Sequence, residues 1–105
     1  MASDLLIVFC TFPSAAEARR IVRELVESKL IACGNIFPSV ESIYRWKGEV
    51  ESAAEAFAIL KTTDEAFDRL QALFKSRHPY DVPELVAFPV ARGLPAYLEW
   101  IRESV

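Results

Sequence analysis

The chain has 105 residues, of which 52% are hydrophobic and 26% charged, with a net charge of −3 and an isoelectric point near 5.2. This length is typical of one domain, so we predict a single domain over residues 1–105. The acidic balance and the lack of a basic patch exclude the usual signature of nucleic-acid binding. The first apolar run, Leu5–Phe9, is too short for a signal peptide or a membrane span, which predicts a cytoplasmic protein without a membrane partner.

The N-terminal segment predicts a strand followed by a helix. Leu5–Phe12 is a continuous apolar run that ends at Pro13, as is typical of a buried central strand. Ser14 and Glu17 have the spacing of a capping box, which indicates the start of a helix. Apolar residues then recur at helical spacing until the helix ends near Ser28, and they are Ala18, Ile21, Val22, Leu25 and Val26.

The middle of the chain predicts a long hairpin. Its strands are Ile31–Trp46, broken at Gly34-Asn35 and at Pro38, and Val50–Thr62, with the turn at Lys47–Glu49. A strand as long as the first of these spans about 50 Å when extended, whereas a globule of this size is about 35 Å across. The hairpin must therefore curl around a bulge or overhang the domain. An overhanging ribbon exposes apolar surface and unpaired edges, which a neighbouring subunit would cover.

The C-terminal half predicts two more helices and a strand. Thr62–Glu65 is a second capping box, and the helix after it ends before His78 because a residue that precedes proline avoids helical geometry. Leu85–Val90 is the fourth strand, and a proline opens a short last helix over Ala96–Arg102. The apolar stripe of the second helix consists of Phe67, Leu70, Leu73 and Phe74.

The order β-α-β-β-α-β predicts a ferredoxin-like α+β sandwich, because right-handed crossovers return each strand to one sheet. We expect an antiparallel sheet in the order 4-1-3-2, with the two main helices on one face and a short C-terminal helix. Strand two then lies at an edge, where Pro38 is tolerated.

Several functional classes share this topology, but the motifs that each class requires are absent from this sequence. An RNA-recognition module needs aromatic strand motifs and a basic face, which Glu55–Ile59 does not offer. A copper chaperone of the heavy-metal-associated type needs a Cys-x-x-Cys loop, and an acylphosphatase needs an arginine just after strand one, where the first arginine is Arg19. No nucleophile is paired with a base and an orienting group, so we predict that the protein is not an enzyme.

Four segments of the sequence lie in the order and spacing of a known family. They are Ala32–Ile36, Ser42–Glu49, Leu60–Thr63 and His78–Glu84. They resemble the CutA family, whose members are also called divalent-cation tolerance proteins, and the match extends from Ile7 to Trp100. The resemblance implies a ferredoxin-like subunit, a tightly packed homotrimer shaped like the PII signalling proteins, and a link to copper and other divalent cations.

The same resemblance implies a cleft between subunits. It places Tyr44, Trp46, Glu51 and Tyr80 in that cleft, where packing within the interface is their alternative role. Lys61 is a further candidate as a functional cation there, and a solvated strand end is its alternative. Clefts of this kind also support a second function, a PII-like trimeric signalling or scaffold module that binds a small molecule or a protein partner.

The candidate metal ligands are few. Copper and zinc prefer thiolate and imidazole donors, and topology brings Cys10, His78 and Glu84 to one end of the sheet, so we predict that these three bind Cu(II) or another divalent cation, with no organic cofactor. A buried apolar role for Cys10 and a helix-capping role for His78 are the alternatives. Cys33 lies at the opposite end, which predicts two free thiols. Arg77 stands where the family often has a second histidine, which lowers the expected affinity.

Overall fold

Four strands and three helices follow one another in the part of the chain that the structure, a computed structural model, describes, which is residues 3–105. They are β1 (Leu5–Phe12), α1 (Ala15–Glu27), β2 (Cys33–Trp46), β3 (Glu49–Thr63), α2 (Phe67–Arg77), β4 (Leu85–Pro89) and α3 (Pro95–Ser104). The strands form one antiparallel sheet in the order β2-β3-β1-β4, which confirms the predicted ferredoxin-like α+β fold. None of the helices in residues 3–105 is long and apolar enough to cross a bilayer.

One face of the sheet is covered by α1 and α2. The hydroxyl of Ser14 accepts a hydrogen bond from the backbone N–H of Glu17 at 3.2 Å, which fixes the start of α1 as the capping box predicts. Alternate residues of β1 and β3 point toward the two helices and form the main core with them. The largest fully buried members of this core are Phe12, Phe74, Ile21, Leu25, Ile31, Leu60 and Leu70.

Gly34 lies where α1 approaches β2. The break predicted at Gly34-Asn35 does not occur, since β2 continues through both residues. A Cβ atom on Gly34 would lie 2.6 Å from Cγ1 of Val22 and 2.9 Å from Cδ2 of Leu60. Glycine therefore serves close packing between the helix and the sheet at this position, rather than ending the strand.

We expect Gly34→Ala to lower the free energy of unfolding by about 1–3 kcal/mol, because the new methyl group overfills a packed core. Urea unfolding followed by circular dichroism would measure the change. Ser39→Ala, in an exposed part of the same strand, is the matched control and should leave the midpoint unchanged. Equal midpoints for Gly34→Ala and the parent would contradict this account of the glycine.

The hairpin of β2 and β3 overhangs the rest of the domain. Strand β1 pairs with β3 only from Ala56 to Thr63, so residues 40–55, called the ribbon below, pair only with each other in the sheet. The register shifts between Phe37 and Val40, which confirms the irregularity predicted at Pro38. The chain measures 43 Å along its long axis against 28 and 22 Å along the others, so the predicted overhang is present.

The turn at the tip of the ribbon is shorter than predicted. Only Lys47 and Gly48 form it, with φ angles of 51° and 82°, and Glu49 already belongs to β3. Two successive residues with positive φ are typical of a type I′ turn, whose twist matches that of the strands it joins.

The second capping box was predicted one turn too early. Thr62 is buried within β3, and its hydroxyl donates to the backbone carbonyl of Leu30 at 2.6 Å. The hydroxyl of Thr63 accepts from the N–H of Ala66 at 3.1 Å and closes a turn, after which α2 begins at Phe67 without a side-chain cap. The buried carbonyl of Leu30 needs a donor, and this requirement keeps Thr62 in the sheet.

The face of the sheet opposite α1 and α2 is largely uncovered. Helix α3 covers one end of it, where Ile101 packs with Leu5 and Ala32. Beyond α3, four aromatic rings cross all four strands with centroids 5.0 to 5.9 Å apart. This phenylalanine row consists of Phe37, Phe57, Phe9 and Phe88. Its outer members are 48% and 45% exposed, which is typical of an interaction surface rather than of a surface in contact with water.

Candidate functional site

A groove of about 610 Å³ lies between the ribbon and the loop that joins α2 to β4. Three aromatic side chains and four carboxylates line it, and among the described residues none of the lining side chains is basic. These seven residues are Tyr44, Trp46, Tyr80, Glu51, Glu55, Asp81 and Glu84. The four residues that the sequence grouped in one cleft, namely Tyr44, Trp46, Glu51 and Tyr80, thus share a single groove, while their predicted place between subunits stays a prediction.

Tyr80 connects the two walls of the groove. Its hydroxyl donates to Oε2 of Glu55 at 2.7 Å, which joins the loop to β3. Loss of solvent contact, followed by the hydrogen bond to Glu55 and its charge, raises the pKa of Tyr80 above its usual range. Tyr80 therefore remains a neutral phenol that donates its proton to a carboxylate.

His78 holds this loop against the core. Its Nε2 lies 2.7 Å from the carbonyl oxygen of Thr11, and its Nδ1 accepts from the backbone N–H of Tyr80 at 3.1 Å, so the ring is a neutral imidazole protonated on Nε2. The ring stacks on Phe12 at 5.3 Å and packs against Phe74 at 5.0 Å, and the residue is only 8% exposed. Both ring nitrogens already have partners within the chain, so neither is free to bind a metal.

Cys10 is also turned into the core. Its side chain is fully buried, with Sγ 3.8 Å from the carbonyl oxygen of Ala58. Burial, and secondarily the charge of Glu84, raise the pKa of the Cys10 thiol to about 12. Metals bind the thiolate, and this thiol keeps its proton at neutral pH.

Within the single chain, the side chains of the three predicted metal ligands do not converge on one point. Topology does bring them to the same end of the sheet, since Cys10 pairs with Leu85 across β1 and β4. Glu84 lines the groove, but Cys10 and His78 are buried and engaged elsewhere. Across residues 3–105, no three His, Cys, Asp or Glu side chains converge in a way that could hold a metal ion.

We expect Cys10 to resist alkylation in the folded protein. At pH 9, where an ordinary thiol is half ionised, iodoacetamide should leave Cys10 unmodified for hours and modify it within minutes in 6 M guanidinium, because only unfolding exposes and ionises it. Peptide mass mapping would locate the label. Rapid labelling of Cys10 without denaturant would contradict its assignment as a buried thiol.

Two other residues named in the sequence analysis lie outside the groove. Lys61 donates a hydrogen bond to Oδ1 of Asn35 on the uncovered face of the sheet, so the structure does not place it with the cleft residues. Cys33 is a free, half-buried thiol 3.7 Å from the hydroxyl of Tyr97, and both cysteines are free as predicted.

The sequence reasoning missed two carboxylates of the groove, Glu55 and Asp81. A signal for each was present. Glu55 lies four residues after Glu51 on the same face of a strand with a two-residue period, and Asp81 belongs to the segment His78–Glu84 that contributes to the family resemblance.

Comparisons with known proteins agree with this fold. The family described as CutA1 divalent ion tolerance protein matches residues 6–104. The chain belongs to the CutA1 divalent ion tolerance family. The divalent-cation tolerance protein CutA of Thermus thermophilus is 49% identical over 98 residues, which cover 93% of this chain and 95% of that protein. The chloroplastic protein CutA 1 of rice is 39% identical over 94% of this chain and 56% of that longer protein.

Solved structures of CutA1 family members superpose closely on this chain. The Thermus thermophilus structure gives a TM-score of 0.93 with 48% identity, covering 95% of this chain and 97% of that one. The periplasmic divalent cation tolerance protein CutA of Archaeoglobus fulgidus gives 0.92 with 40% identity over the same shares. The family predicted from four sequence segments is thereby confirmed, while the cytoplasmic location stays a prediction.

Proposed function

We propose that this CutA1 family member acts in divalent-cation tolerance as a homotrimer, and that it binds divalent cations, Cu(II) among them, where its subunits meet. The observation that carries the proposal is the uncovered phenylalanine row beside an overhanging ribbon. Both features leave apolar surface exposed that a neighbouring subunit would cover. The proposed binding of divalent cations is supported by the name that the family and its relatives share.

The exposed apolar surface supports self-assembly. On the ribbon, Ile43 and Val50 are 69% and 66% exposed, and on the sheet Phe37 and Phe88 are close to half exposed. Burial of such surface stabilises an interface by about 25 cal/mol per Å². A closed ring of identical subunits covers every copy of such a surface, whereas an open chain leaves one uncovered at its end. The family resemblance implies that the ring has three members.

The groove supports a role in cation binding that is completed between subunits. Its four carboxylates supply oxygen donors, and Glu84 is the one predicted ligand that remains accessible there. Since no three donors converge within residues 3–105, a metal site needs at least one further donor from a neighbouring subunit. Divalent affinity at nitrogen and oxygen donors rises from Mn(II) to Cu(II) and falls at Zn(II), so Cu(II) should bind most tightly.

Native mass spectrometry and calorimetry test the proposal together. We expect three copies of the 11.8 kDa chain and Cu(II) uptake in proportion to subunits. Glu84→Gln should weaken Cu(II) binding by at least about tenfold, because loss of a direct donor costs no less than loss of an outer-shell partner of a ligand. Cys10→Ala should leave it unchanged. A stable single subunit would contradict the assembly, and loss of Cu(II) in Cys10→Ala alone would contradict the groove as the metal site.

A second candidate function is also favoured by the groove. Its volume is that of a small-molecule site, which supports a PII-like module that binds an organic ligand in its clefts.

A further inference from the structure

We propose that the groove between the ribbon and the α2–β4 loop binds a linear organic polyamine, a chain of methylene groups that carries two or more ammonium groups. The proposal specifies the ligand class of the second candidate function, and it requires no metal at the site. It follows from the size of the groove, the sign and spacing of its charges, and its aromatic walls.

The groove has the size of a ligand site and two walls of different origin. Its volume of about 610 Å³ lies within the usual range of about 300–1,000 Å³ for small-molecule pockets. The ribbon supplies Tyr44, Trp46 and Glu51, and the loop after α2 supplies Asp81 and Glu84. A ligand that lies along the groove therefore meets a carboxylate on either side.

The charge of the groove selects a cation. Glu55 is held by Tyr80, but Glu51, Asp81 and Glu84 take part in none of the ion pairs formed within residues 3–105. Carboxylates along a concave surface reinforce one another and concentrate cations there.

The spacing of these charges favours an organic cation over a metal ion for a site within one subunit. A metal ion needs several oxygens about 2.0–2.6 Å from one point, and the described carboxylates do not converge in that way. A polyamine carries its charges at intervals, so each ammonium can donate to a different carboxylate. Its flexible chain matches charges that are spread over two walls.

The aromatic side chains suit the rest of such a ligand. In the single chain, Tyr44, Trp46 and Tyr80 are 41%, 43% and 36% exposed, so part of each ring surface faces the groove and can contact methylene groups. Ring faces also attract ammonium groups that have lost part of their water. One ring of the groove already makes this kind of contact, since Nζ of Lys47 lies 5.9 Å from the centroid of the Trp46 ring.

Calorimetry with spermidine, a linear triamine, tests the proposal on the full chain at low salt. We expect saturable binding of about one spermidine per groove, weakened at least tenfold by 0.5 M NaCl because exposed charges are screened. Glu51→Gln and Trp46→Ala should each weaken binding by about five- to tenfold through loss of a charged hydrogen bond or a ring face. Glu27→Gln removes the same charge from the exposed end of α1 and should have no effect.

Three outcomes would overturn the proposal. They are no saturable heat with spermidine, equal weakening by Glu27→Gln and Glu51→Gln, and complete displacement of spermidine by an equal concentration of Mg²⁺. The first excludes the site, the second indicates diffuse attraction to an acidic surface, and the third indicates a metal site. Cu(II) titration of the same samples remains an independent measure of the metal function, so either result can fail alone. If Trp46→Ala alters assembly, the spermidine affinity of Glu51→Gln still tests the proposal, because glutamine preserves the shape of the glutamate side chain.

Discussion

Replacement of Phe88 by glutamate should separate the proposed homotrimer into single chains. Phe88 is 45% exposed at one end of the phenylalanine row, and its ring lies 5.0 Å from that of Phe9. A charge there remains hydrated in a free subunit but must lose its water when a neighbouring subunit covers the face. An unpaired buried charge costs several kcal/mol, so we expect the dissociation constant to rise by about a thousandfold or more, equivalent to about 4 kcal/mol.

Light scattering at micromolar concentration would measure this effect as the appearance of an 11.8 kDa species. Val26→Glu is the matched control, because Val26 is an exposed apolar residue, 39% exposed, on α1 and not on the uncovered sheet face. It should leave the assembly intact. An intact assembly in Phe88→Glu, or dissociation of both variants, would show that the phenylalanine row does not hold the subunits together.

Replacement of His78 by alanine should lower the free energy of unfolding by about 3 kcal/mol. The change removes two hydrogen bonds, to Thr11 and Tyr80, worth about 1 kcal/mol each. It also leaves a cavity beside Phe12 and Phe74, which adds to the cost. Urea unfolding would measure the loss, and tyrosine fluorescence would report whether Tyr80 leaves the groove.

Two amide variants separate the roles of the two ring nitrogens. The side-chain oxygen of asparagine can replace Nδ1 and accept from Tyr80, whereas the amide nitrogen of glutamine can replace Nε2 and donate to Thr11. His78→Asn should therefore preserve the groove better than His78→Gln, although both are less stable than the parent. Equal groove geometry in the two variants, or stability of His78→Ala equal to that of the parent, would contradict the role assigned to this ring.

Much of the fold could be predicted because local patterns decide it. The continuous apolar run of β1 indicated a central strand, and the capping box at Ser14 indicated the start of α1. The overhang of the ribbon was predicted because the extended length of its strand exceeds the diameter of a globular chain with this number of residues. Predictions failed where tertiary contacts, which the local pattern does not record, decide the role of a residue. Gly34 lacks a Cβ atom, which allows Val22 to pack against the strand. The hydroxyl of Thr62 donates a hydrogen bond to the carbonyl of Leu30, which keeps Thr62 in β3.

The candidate site shows the division between sequence and tertiary structure most clearly. Patterns in the sequence were enough to predict the order of the elements, the family, and the presence of Cys10, His78 and Glu84 at one end of the sheet. The folded chain was needed to see that the thiol and the imidazole turn into the core and that Glu84 remains in the groove with Asp81. The physical reason is that chain topology fixes where a backbone segment lies, whereas the partners available to each polar atom depend on packing between distant segments. Both ring nitrogens of His78 form hydrogen bonds, with Thr11 and with Tyr80, and no spacing in the sequence indicates these two bonds.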